Sequence, residues 1–93
     1  MSNAAHILSE RRAALTRRAV ALLAREPPAP IAELDALLTD ACAAVLALRA
    51  PGAAIGRERR ATELEHLREV IAELTAARRA HERAAQTSPR RTA

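Results

Sequence analysis

The chain has 93 residues with a net charge of +4, and its 49% hydrophobic content includes no Phe, Tyr or Trp. That length accommodates one domain. One cysteine excludes an internal disulfide framework and a cysteine-based zinc site, and no run approaches the ~18 consecutive apolar residues of a membrane span. An aromatic side chain buries about 150–250 Å², so a core without any has little apolar area per residue to offset chain entropy. Close helix packing and a partner chain are therefore expected. All 15 basic residues are Arg, the signature of a GC-rich coding sequence of bacterial type. Acids are interleaved with them, which describes a mixed-charge surface better than the basic stripe of a nucleic-acid binder. The lone cysteine and the absence of a signal-peptide core in "MSNAAHILSERRAALTRR" suggest a reducing, cytoplasmic location, or one associated with a virion or other assembly.

The first segment is expected to be helical over about 3–25, capped by Ser2 or Asn3. Leu8, Leu15 and Leu22 recur every seven residues, and Ala5, Ala19 and Leu23 widen their stripe. "EPPAP", 26–30, ends the helix, because consecutive prolines remove donors and clash with its continuation. A second helix, about 30–49, opens with Pro30 at its first position and places Glu33 and Asp35 where the helix dipole favours acids. Ile31, Leu34, Leu38, Ala41, Val45 and Leu48 step by three and four, the heptad spacing of a packed seam. Cys42, next to Ala41, is read as a small buried residue.

Gly52 and Gly56, the two glycines of the chain, mark the turn into a third helix, about 57–86. Thr62 and Glu65 fit a capping box inside it. Leu64, Leu67, Ile71 and Leu74 repeat the heptad steps, and Arg78 and His81 continue them as polar residues. Residues 87–93 read as a disordered basic tail after a single helical domain, 1–86. Two heptad helices on a short turn form an antiparallel hairpin. The fold class is therefore all-α: a three-helix unit, or a hairpin plus an N-terminal helix, assembling into an oligomeric bundle. Leu34, Leu38, Val45, Leu64, Leu67, Ile71 and Leu74 form its expected seam.

Chemistry-bearing motifs are scarce. There is no nucleophile elbow, dinucleotide fingerprint or phosphate loop. The exception is "ELEH", in which Glu63 and His66 share a helix face at the spacing of a di-iron half-motif. Glu33 adds a carboxylate thirty residues earlier. From Glu33 to His66 the pattern resembles the encapsulated ferritins, which implies an iron site assembled across a dimer of hairpins from Glu33, Glu63 and His66. In antiparallel helices, however, Glu33 belongs nearer the end of the third helix than to Glu63. A second resemblance covers "IGRERRATELEHLREVIAEL". Ile55, Gly56, Arg57, Leu64, Leu67, Arg68 and Ile71 follow the pattern of small phage head–tail joining proteins of the W type. That resemblance implies a small hairpin over 53–60, with Arg57, Arg59 and Arg60 touching a neighbouring subunit or DNA.

The leading expectation is a non-enzymatic assembly or adaptor protein without cofactor. It would act through protein–protein contacts and self-association, with Arg57, Arg59 and Arg60 facing the partner. The alternatives are a dimeric, ferritin-like metal-binding protein carrying iron, and an Arg-rich accessory protein that binds nucleic acid. No membrane role is expected.

Overall fold

A computed structural model describes residues 4–87. Three helices fill it: α1, Ala4–Leu23; α2, Ile31–Arg49; and α3, Arg57–Thr87. The fold is all-α, and every helix packs on the other two. Ser9 of α1 meets Glu63 near the start of α3, so these two helices run parallel. Asp35 at the start of α2 meets Arg78 near the end of α3, so α2 runs antiparallel to both. The expected basic tail begins within the last residue of α3 and otherwise lies outside the described residues, as do the expected caps Ser2 and Asn3.

The core is built from leucine and alanine. Leu37, Leu48, Leu67 and Leu74 are its largest fully buried side chains, with Leu15, Ala19, Leu34, Ala41, Ala44 and Val70 around them. The buried stripe of α2 is Leu34, Leu37, Ala41, Ala44 and Leu48, and on α3 it is Glu63, Leu67, Val70 and Leu74. Both stripes keep the three-and-four rhythm but are turned from the expected seam. Leu34, Leu67 and Leu74 belong to both patterns. Leu38, Val45, Leu64 and Ile71 are half-buried on the flank of the α2–α3 pair. The reason is α1: a two-helix seam would centre each stripe on its single neighbour, whereas a third helix pulls the centre towards the bundle axis. On α1, Leu8 and Leu22 pack against the core while Leu23 lies at its margin.

Several local expectations are corrected. Cys42 is exposed, because it lies one step beyond Ala41 on the outward side of α2. Pro30 is the N-cap of α2 rather than its first residue. Its carbonyl accepts from the Glu33 and Leu34 N–H groups. No capping box forms at Thr62, which is already inside α3 and returns its hydroxyl to the Glu58 carbonyl. The small hairpin over 53–60 is absent too, since residues 57–60 are the first turn of α3. Gly56 accepts from Arg60 N–H at 2.8 Å and so starts that helix.

Neither glycine has a positive φ, and a Cβ at either would meet nothing within 4 Å. The chain reversal thus depends on Pro51 and on Ala50, which leaves α2 in an extended conformation, and not on glycine's freedom. Gly52→Ala is expected to raise stability by about 0.4–1 kcal/mol, by reducing the entropy of the unfolded chain. Leu67→Ala should cost about 2–5 kcal/mol, while Leu67→Asp should leave no cooperative unfolding transition. Urea denaturation followed by circular dichroism checks all three.

Candidate functional site

Glu63 is the one buried charged residue among the described residues, with 6% of its surface exposed. Its position four residues before Leu67 and seven before Val70 puts it on the core stripe of α3. α1 supplies its partners. Arg12 Nε donates to Oε1 at 2.7 Å, and Ser9 Oγ donates to Oε2 at 3.0 Å. The Arg12 guanidinium also donates to Thr16 Oγ1, whose hydroxyl donates to the Arg12 carbonyl. Arg59 Nε donates to Ser9 Oγ at 3.1 Å and closes the cluster from the α3 side. Burial pushes the Glu63 carboxyl upward, but the hydrogen bonds from Arg12 and Ser9, with the charges of Arg12 and His66, outweigh it. The net effect holds the group below its ordinary value of 4.5.

This arrangement decides what Glu63 does. Both oxygens are occupied by donors on α1, so within one chain the carboxylate acts as an anion for Arg12. His66 is exposed, one turn along. Glu33 sits at the far end of the bundle, ion-paired with Arg25. The structure therefore does not bring Glu33, Glu63 and His66 together. Among the described residues no group of three or more His, Cys, Asp or Glu side chains is placed to hold a metal ion. The partners Arg12 and Ser9 were missed because they lie on another helix, 51 and 54 residues away in sequence. The available signal was the position of Glu63 on a core stripe, since a buried acid requires a cationic partner.

The acids of α2, although half exposed, are paired as well. Glu33 pairs with Arg25, Asp40 with Arg18 on α1, and Asp35 with Arg78 on α3, where Arg78 also binds Glu82. The three arginines expected to face a partner divide between tasks. Arg60 is half-buried and donates from Nε to the Leu48 carbonyl at 2.9 Å, which satisfies the C-terminal end of α2. Arg59 holds Ser9. Arg57 is exposed at the first position of α3.

A groove of about 410 Å³ opens at the other end of the bundle, walled by Leu22, Leu23, Ala29, Leu34, Ala77 and His81. His81 is its one polar side chain, so no set of polar groups converges there as ligand specificity requires. Large aliphatic side chains also stand outside the core: Ile7, Val20 and Leu46 are 62%, 63% and 71% exposed. No helix is long and apolar enough to cross a membrane among the described residues. No family model, curated protein or solved structure matches the chain.

Because the folded Glu63 carboxyl titrates below the unfolded one, its contribution is complete above the ordinary value and is lost as pH falls through the folded value. The urea midpoint is expected to drop as pH falls below the ordinary carboxyl value of 4.5, and Glu63→Gln should flatten that part of the profile. The same variant should cost about 3 kcal/mol at neutral pH, because it leaves Arg12 without its anion.

Proposed function

We propose that this protein is a non-enzymatic helical assembly module that works through its helix surfaces, by self-association and contact with protein partners. One observation carries the reading. The candidate metal-site carboxylates Glu63 and Glu33, like Asp35 and Asp40, are engaged by arginines of the same chain, while Ile7, Val20 and Leu46 are left outside. Ion pairs of this kind hold helices in register, and exposed aliphatic side chains gain by being covered. The small, aromatic-free core supports the same reading, because a partner chain adds the buried area that it lacks. The resemblance of residues 55–74 to head–tail joining proteins points to an assembly role as well, without the small hairpin that it implied.

The test is the mass in solution of untagged protein, with iron measured on the same sample after incubation with ferrous salt. Self-association without bound iron is the expected result. A monomer at every concentration would overturn the proposal, and stoichiometric iron lost on His66→Ala would replace it with the metal-binding reading.

A further inference from the structure

We infer that two copies of this chain pair antiparallel along one edge of α2, about a two-fold axis beside Cys42. The inference rests on the assembly reading and names its surface.

The edge lies between the core stripe of α2 and its fully outward side, next to α3. It carries Asp35, Leu38, Cys42, Leu46 and Arg49, with Thr39 and Ala43 beside them. Between Asp35 and Arg49 this edge has no charged side chain. Asp40, the charge that intervenes in sequence, is turned to the opposite side and bound to Arg18. Leu46, at 71%, is the most exposed large aliphatic residue described, and Cys42 is exposed one turn before it. On the α3 side the edge continues into a shallow groove lined by the half-buried Val45, Leu64 and Ile71 and flanked by Arg49 and Arg68.

The order of residues along this edge is symmetric. Leu38 precedes Cys42 by four residues and Leu46 follows it by four; Asp35 precedes it by seven and Arg49 follows it by seven. Steps of four and seven return to the same side of a helix. In an antiparallel pair with its two-fold axis at Cys42, each residue meets the one equally distant on the other copy. Leu38 then packs on Leu46 of the second copy, and Asp35 meets its Arg49, twice over by symmetry. The centre is apolar and small, allowing an interaxial distance of about 8–10 Å, and opposite charges close both rims. A parallel pair would instead set Asp35 against Asp35 and Arg49 against Arg49.

Arg49 is free to do this, and Asp35 can do so while it is shared with Arg78. Arg49 makes no ion pair within its own chain among the described residues. Arg78 engages only Oδ1 of Asp35, whose side chain is 48% exposed. Reciprocal complementarity of this kind singles out a second copy, since an unrelated helix has no need of matching charges at equal distances from one residue.

Sedimentation equilibrium over a concentration series tests the pairing, with circular dichroism as a check on folding. The 10.0 kDa chain is expected to sediment as a dimer, and Leu46→Arg, at an exposed site, as a monomer with unchanged helicity. Asp35→Arg or Arg49→Asp alone should weaken association roughly tenfold, because each reverses a charge at both rims. Mixing those two variants should restore the dimer, since the new Arg of one then meets the new Asp of the other. Loss of the Asp35–Arg78 pair inside one chain could not be rescued in this way. Oxidation with copper phenanthroline should link wild-type chains through Cys42, and Leu46→Arg should abolish the link. An associated wild type whose mass is unmoved by Leu46→Arg, or a mixture that fails to recover, overturns this surface and leaves the assembly reading standing. A wild type that is monomeric throughout overturns both.

Discussion

A core without a single aromatic ring constrains everything else in this molecule. Leucine and alanine reach only a short way from the backbone, so the helices must lie close for Leu37, Leu48, Leu67 and Leu74 to fill the space between them. Ala19, Ala41 and Ala44 make that approach sterically possible, because each removes bulk where two helices meet. α2 is consequently held between α1 and α3, and the polar residues along its margins come within ion-pairing distance of both neighbours.

Register is the problem such a core creates. Similar leucines repeated at similar spacings can interdigitate in more than one alignment, and uniform cores of this kind specify structure poorly. The acids of α2 and the buried Glu63 supply the discrimination. Sliding α1 against α3 by one turn would strand the Glu63 carboxylate away from Arg12 and Ser9 in an apolar setting, which is far more costly than a displaced leucine. The exposed pairs Arg18–Asp40 and Arg25–Glu33 each contribute little to stability, but they favour the same alignment at the other end of α1. Helix packing supplies affinity between the elements, and charge supplies their order.

The same division explains the surface. Arginine is spent on three tasks: neutralising acids across helix contacts, closing a helix end through Arg60, and covering the mouth of the Glu63 cluster through Arg59. Arg11, Arg17, Arg49, Arg57 and Arg79 stay exposed, and aliphatic surface remains beside them on α1 and along one edge of α2.

The sequence by itself determined the helices and their approximate ends, because helical periodicity and proline are local: three- and four-residue steps of leucine, and "EPPAP", act within a few residues of where they stand. It also placed Leu34, Leu67 and Leu74 inside, since they lie on the apolar stripe whichever way it is turned. The tertiary structure alone decided the rest. Whether Leu38, Val45, Leu64 and Ile71 form the centre of a seam or its flank depends on where α1 docks. Whether Cys42 is covered depends on the same rotation. The role of Glu63 turns on Arg12, 51 residues away in sequence and 2.7 Å away in space. Its ELEH spacing suits a metal ligand as well as a buried ion pair. Periodicity specifies which residues share a face of one helix, but only the packing of three helices specifies what that face meets.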